Sequence, residues 1–365
     1  MNLKLLGWND TFAQALENLS EPSWIPARVL SVDRSSYNLG GEFGEIAGKI
    51  SGRYRYTTCD QANLPAVGDW VAITLSDEDD FAIIHSLLPR TTCISRKATG
   101  TTIEAQVIAA NIDTVFIVTG LDNNFNLRRI ERYIAVVKNS GAQPVIILNK
   151  ADLLNNDEAA DEIRQSIESI AFDVPIHFIS VLNTTGLLEL LSYFTNGITV
   201  SLVGSSGVGK STLTNYFLGS EKQRVFETRE DDSRGRHTTT RRQLFLLPSG
   251  GMLIDSPGMR ELQLWVEDGD VDLGFSDIDI LKKHCRFSDC THSHEPGCAV
   301  QKAIDEGEVS TKRLANFNKM KRELNYLEKR QSETSWDTRL ADRKFGKFRH
   351  TVLKQRKKER SNNSF

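Results

Sequence analysis

The sequence predicts a multidomain chain: an N-terminal five-stranded β-barrel of the OB type, a central α/β domain built on a phosphate-binding loop, and a C-terminal, mainly helical zinc-binding domain. Three observations predict it. Short β-rich runs crowd residues 26–95, near-continuous apolar strands alternate with helical stretches from 111 to 254, and three of the five cysteines fall between 285 and 298. A chain of 365 residues can hold two or three such units. Their expected boundaries are 1–98, 99–265 and 266–340, with a basic tail over 341–365.

The chain opens with a short amphipathic stretch over 11–20 that has only packing to do. β-rich runs follow at 27–32, 44–50, 67–73, 81–84 and 91–94, separated by Gly, Asp and Asn, and five of them suggest a Greek-key barrel. Within it, Arg53, Tyr54, Arg55 and Tyr56 interleave charge with aromatics, either as a nucleic-acid contact or as alternating barrel-face residues. From 111 the pattern changes to strands at 111–119, 144–148, 175–180 and 252–254, with helices at 127–137 and 158–170. Apolar strands alternating with helices mean a parallel sheet covered on both faces, with its ligand at the strands' carboxyl ends.

The apolar run 198–203 leads into Gly204, Ser205, Ser206, Gly207, Val208, Gly209, Lys210, Ser211 and Thr212. This is a GxxxxGK[ST] phosphate loop between a strand and a helix. Its glycines let backbone N–H groups surround a phosphate, Lys210 neutralises the β/γ oxygens, and Ser211 can ligate Mg²⁺. The strand at 144–148 ends in Asn149, Lys150, Ala151 and Asp152. A carboxylate in Asp152's place can accept two hydrogen bonds from guanine's N1–H and exocyclic amine, which adenine cannot offer. Asn149 reads the opposite edge and helps hold the phosphate loop, the Lys150 stem covers the base, and Ser180-Val181-Leu182 is a further candidate contact. The ligand so read is GTP or GDP with Mg²⁺.

Downstream, Asp255-Ser256-Pro257-Gly258 ends an apolar strand. Asp255 is placed to hold magnesium through water, and the Gly258 amide to sense the γ-phosphate. Between the two motifs runs a basic stretch, 235–242, in which Thr240 is the first candidate for a Mg²⁺-binding threonine and Thr239 the second. Guanine-nucleotide proteins ordinarily run phosphate loop, threonine switch, Asp-x-x-Gly, then N-K-x-D. Here N-K-A-D comes first, as in a sheet cut at one connection and rejoined at another.

Cys285, Cys290, His292 and Cys298 have Cys-x4-Cys-x-His-x5-Cys spacing. Three thiolates and an imidazole satisfy tetrahedral Zn²⁺ and leave no open position, so the site is structural. His284 and His294 are rival ligands. A helix over 314–327 follows, carrying Leu314, Phe317, Met320, Leu324 and Leu327. The net charge of −3 hides an asymmetry, since the 341–365 tail carries nine Lys/Arg against Asp342 and Glu359. Lys344, Phe345, Lys347, Phe348, Arg349 and His350 in it suit phosphate contact plus stacking on RNA. No run approaches the ~18 apolar residues of a spanning helix, and the first residues do not read as a signal peptide. The expectation is a cytoplasmic monomer without a membrane partner.

With barrel, N-K-A-D, G-S-S-G-V-G-K-S, D-S-P-G and the Cys3His pattern in this order, the chain resembles the bacterial ribosome small subunit-dependent GTPase A family over residues 25–350. The resemblance implies a circularly permuted GTPase domain, binding to the small ribosomal subunit and its rRNA, a role in its late maturation, and hydrolysis stimulated by that subunit. Met259 stands where many small GTPases carry a water-orienting glutamine. Catalysis therefore falls to Lys210, Thr240 and another group, for which His237 is the candidate and a partner's group the rival. Two other readings stay open: an RNA-binding assembly protein using GTP as a conformational ligand, and an ATP-dependent phosphotransferase.

Overall fold

The computed structural model describes residues 1–33, 36–58, 61–76, 81–97, 105–122, 125–154, 156–171, 173–219, 242–255, 275–293, 295–322 and 325. After helix α1 (Asp10–Glu17), capped by the Asn9 side chain, five strands form the barrel. They are β1 (Ile25–Val32), β2 (Tyr37–Gly41), β3 (Gly44–Ile50), β4 (Trp70–Leu75) and β5 (Phe81–Leu87). Their order is β1-β2-β3-β5-β4, and β4 pairs back to β1, which closes the barrel. Only β3–β5 is parallel among these pairs. Alternate residues point inward, so Ala27, Val29, Leu39, Val71, Ile73, Ala82 and Ile84 make a small core.

The barrel differs from expectation in three places. Strand β2 contains Tyr-Asn-Leu-Gly-Gly, whose glycines mask it as a turn. The run expected at 91–94 does not enter the barrel; β6 (Cys93–Lys97) pairs instead with β7 (Ala105–Ala110). Arg53 to Tyr56 do not alternate on a barrel face. They lie in helix α2 (Gly52–Thr57), capped by Ser51, where Tyr54 donates to the Asn63 carbonyl at 2.7 Å and Tyr56 is 89% exposed.

The second unit holds β8 (Thr114–Gly120), β9 (Gln143–Asn149), β10 (Ile176–Phe178), β11 (Thr199–Val203), β12 (Gln243–Leu246) and β13 (Met252–Asp255). Their order is β10-β9-β8-β11-β13-β12, all parallel except β12, which runs antiparallel to β13. All seven residues of β8 are buried, as a strand covered on both faces requires. Helices α3 (Leu127–Asn139), α4 (Asp157–Glu168), α5 (Leu187–Leu190) and α6 (Lys210–Leu218) fill the connections. Strand β12, four residues long, is too short to stand out in the sequence.

Among the described residues, barrel and sheet are continuous through one antiparallel pair, Ser31 on β1 with Gln243 on β12. The joint is reinforced by Arg28, which is 1% exposed. Its guanidinium donates to the carbonyls of Gly68 (3.1 Å), Asn111 (2.9 Å) and Leu6, to Thr199 Oγ1 (2.9 Å) and to Met252 Sδ (3.5 Å). One cation thus ties the N-terminal segment, the barrel and the start of β11. Burial pulls its pKa down to about 10 against the opposing pull of Asp113 and Asp69.

Beyond β13 the described chain resumes at Phe275 with helices Ser276–Lys282 and Ala299–Asp305 and a third over 311–322. Leu314, Phe317 and Met320 of the last are buried as its spacing requires; Leu324 and Leu327 lie outside the described residues. Arg313 docks this unit on α3. It grips Asp277 through Nε (2.7 Å) and Nη2 (2.8 Å) and Glu131 of α3 through Nη1 (2.5 Å), with its Cζ 4.8 Å from the Phe275 ring centre. Asn316 Nδ2 donates to the other Glu131 oxygen.

Candidate nucleotide and metal sites

The phosphate loop leaves the buried end of β11. Gly204 has φ 147°, and a Cβ there would meet the Val118 carbonyl oxygen at 2.1 Å, so the loop presses against β8 where only glycine fits. Gly207 and Gly209 also have positive φ, while Val208 is fully buried and anchors the loop beside Leu213 and Phe217. Helix α6 starts at Lys210 itself. Its amino end faces the loop and favours an anion. Lys210 Nζ donates to the carbonyls of Gly204 (2.8 Å) and Ser205 (2.5 Å), which lays the ammonium across the loop. Ser206 and Ser211 are exposed, and Asp255 ends β13 on the neighbouring strand at the same carboxyl edge.

The N-K-A-D element lies two strands away, since β8 separates β9 from β11. Asn149 bridges the gap. Its Nδ2 donates to the Val208 carbonyl at 2.8 Å, and its Oδ1 accepts from the Val181 amide at 3.2 Å. Asn149 is 4% exposed, and a Cβ on Gly209 would strike Nδ2 at 2.3 Å. Asp152 Oδ1 accepts from Ser180 Oγ at 2.5 Å, and that hydroxyl oxygen also receives the Asn183 amide at 3.2 Å. Lys150 adopts a left-handed backbone, φ 67° and ψ 35°, and reaches Asp122 Oδ2 at 2.6 Å. Sequence reasoning misses Asp122; an acid just past the end of an apolar strand, at the carboxyl edge, is its only signal.

Thr239, Thr240, His237, Gly258 and Met259 lie outside the described residues, as do His294 and the 341–365 tail. The cysteine cluster is described in full. Cys285, Cys290, His292 and Cys298 bring their ligand atoms within 4.8 Å of one another, and His284 is not in the group. Cys285 Sγ is 3.9 Å from Cys298 Sγ and 3.6 Å from His292 Nδ1, and Cys298 Sγ is 3.5 Å from the same nitrogen. Tetrahedral zinc with ~2.3 Å Zn–S and ~2.0 Å Zn–N bonds sets S···S at ~3.8 Å and S···N at ~3.5 Å, so the donor set fits. His292 takes φ 60° to aim inward. Burial, then the nearby Lys321 and Lys282, pull its pKa down, which keeps the imidazole neutral as a ligand must be. Glu295 staples the intervening loop by accepting from the Thr291 hydroxyl and the Thr291 and Ser293 amides, and these bonds hold its carboxyl at about 2.

A phosphate loop joined by one asparagine to an N-K-A-D element that precedes it in the chain defines a circularly permuted P-loop GTPase. The chain belongs to the RsgA GTPase family, whose sequence model matches residues 87–265. It is 44% identical over 340 residues to the small ribosomal subunit biogenesis GTPase RsgA of Opitutus terrae, covering 90% of this chain and 92% of that one. It is 42% identical over 358 residues to RsgA 2 of Vibrio parahaemolyticus, covering 98% and 94%. Among solved structures it is similar to YjeQ from Thermotoga maritima, with a TM-score of 0.60, 26% identity, and 81% and 97% coverage. The fold also matches YloQ, described as a circularly permuted GTPase, at a TM-score of 0.59 and 22% identity, covering 85% and 96%. Membership makes this chain a GTP hydrolase that uses GTP, GDP and Mg²⁺, and gives the phosphotransferase alternative no support. Among the described residues no helix is long and apolar enough to cross a membrane.

Proposed function

We propose that this chain is a GTPase that binds the small ribosomal subunit and assists its late maturation in the bacterial cytoplasm, with slow intrinsic turnover raised by the subunit. The observation that carries the nucleotide half is Asn149, whose amide joins the Val208 carbonyl of the phosphate loop to the Val181 amide of the base loop. The ribosomal half rests on the relatives, which are named small ribosomal subunit biogenesis GTPases. The exposed Arg53, Arg55 and Tyr56 of α2 and the basic tail suit contact with rRNA.

In this reading Asn149, Lys150 and Asp152 hold the guanine, and Gly204 to Thr212 hold the phosphates. Ser211, Thr240 and Asp255 hold Mg²⁺, and Gly258 senses the γ-phosphate. Magnesium, when bound, neutralises charge developing on the phosphate oxygens. Lys210 is drawn off its two loop carbonyls by the β/γ oxygens and balances their charge. Met259 cannot orient water, so His237 or a group from the partner does. Cys285, Cys290, His292 and Cys298 hold a structural Zn²⁺ in a unit over 266–340, following a nucleotide unit over 99–265 and a barrel unit over 1–98. The protein acts as a monomer.

The test is the GTPase rate of the purified protein with and without small ribosomal subunits. The rate alone should be about 10⁻⁴ to 10⁻³ s⁻¹ and should rise strongly with subunits; equal rates would overturn the proposal. His237→Ala should keep GTP binding and lose the stimulation, and unchanged stimulated turnover would move the role to the partner.

A further inference from the structure

Three polar side chains of the N-K-A-D element are held by side chains and backbone from outside it. Asn149 is held by the phosphate and base loops, Asp152 by Ser180, and Lys150 by Asp122. Of these partners only Asp122 belongs to no nucleotide motif. It stands two residues past the end of β8, where the Leu121 amide donates to the Asn149 carbonyl at 2.9 Å and ties this turn to the guanine reader. Its carboxylate folds back over Gly120, where a Cβ would lie 2.8 Å from Oδ1, so the glycine makes the room. Both ends of the ion pair are partly sheltered, Lys150 at 32% and Asp122 at 26% exposure.

The arrangement solves an electrostatic problem. Lys150 and Asp152 are separated by one residue, and an ammonium that turned onto the Asp152 carboxylate would occupy the acceptors that guanine's N1–H and amine require. Ser180 holds Asp152 through a neutral hydroxyl, which orients the carboxylate without neutralising it. The Lys150 ammonium is paired instead with the Asp122 carboxylate at 2.6 Å.

We infer that Asp122 is a positioning residue for guanine recognition: by holding the Lys150 ammonium it keeps the Asp152 carboxylate open to the base. The inference rests on the reading of Asn149 to Asp152 as the guanine site. It predicts a selectivity defect, because an ammonium displaced onto Asp152 competes with guanine's exocyclic amine, a group that the inosine base does not have.

The experiment is calorimetric binding of GDP, IDP and ADP to the full chain and to D122N, K150M and D122N/K150M. In D122N the GDP affinity falls about fivefold, equivalent to ~1 kcal/mol, while IDP loses less, so the GDP/IDP ratio narrows. K150M has no competing ammonium and keeps the ratio, and D122N/K150M regains it. An unchanged ratio in D122N, or a ratio that stays narrow in the double variant, overturns the inference. Wild-type protein that binds ADP as tightly as GDP would overturn instead the guanine reading on which it rests. D122E, which retains the charge, holds the wild-type ratio; a ratio as narrow as that of D122N would also overturn it.

Discussion

Arg313→Ala tests how the C-terminal unit is held on the nucleotide domain. The arginine side chain is 8% exposed and clamps two carboxylates of unlike surroundings: Glu131 is 7% exposed, Asp277 37%. Burial pushes the Glu131 carboxyl up despite Arg313 and Asn316. Burial alone would raise Asp277 too, but the paired N–H groups of Arg313 outweigh it and hold that carboxyl down. Removing the arginine lets water reach Asp277 and strands Glu131, a situation that costs about 3–5 kcal/mol. Amide hydrogen exchange in α3 and in helix Ser276–Lys282 should then quicken about a hundredfold or more. Adding Glu131→Gln removes the stranded charge and should restore at least half the protection. A double variant as labile as Arg313→Ala would refute the reasoning. The pH dependence has a definite sign. In Arg313→Ala the folded Glu131 pKa lies above its unfolded value, so docking is firmer at low pH and weakens as pH rises through the folded value. In the wild type, Asp277's contribution is present above its ordinary 3.8 and is lost as pH falls through its depressed value.

Purified protein should carry one Zn²⁺ per chain by elemental analysis, and Cys298→Ser should lose it. Losing the metal forfeits on the order of 10 kcal/mol of C-terminal folding free energy, while the new hydroxyl still caps helix Ala299–Asp305 at Gln301; retained zinc would rule out this ligand set. Gly209→Ala should weaken GDP binding at least about tenfold and also lower the melting temperature, since its Cβ strikes the buried Asn149 Nδ2 in a φ 98° backbone; unaltered affinity would deny Asn149 its linking role. Arg28→Met should cost about 3 kcal/mol or more in denaturant titrations, because the buried carbonyls of Leu6 and Asn111 lose their donor, whereas that of Gly68 keeps the Asn111 amide. A loss below about 1 kcal/mol would show that water or neighbouring groups replace it.

What the sequence revealed divides along physical lines. Elements whose function depends on local backbone chemistry were legible: Gly204 to Thr212 need glycine at fixed offsets, and the Cys3His spacing alone brings four ligand atoms together. Long apolar strands such as β8 and β9 were legible because burial on both faces leaves no polar alternation. Strand β2 and helix α2 were not, since two glycines and an alternating Arg-Tyr run carry the wrong local signal and only barrel closure and the Ser51 cap decide them. Asp122, Arg28 and Arg313 were invisible for another reason. Each takes its role from partners distant in the chain, such as the 182 residues between Arg313 and Glu131, and no local pattern encodes such a meeting.

The single pair between Ser31 and Gln243 has a consequence for how the two halves can be separated. A parallel sheet ends in open edges whose unpaired amides and carbonyls invite other chains. Here one edge is β10, only three residues long, and the other, β12, pairs at Gln243 with the barrel's first strand. The barrel is therefore the nucleotide domain's guard against edge-to-edge association. A nucleotide domain expressed without residues 1–98 would bare the Gln243 end of β12, and its first failure should be self-association before any loss of nucleotide affinity.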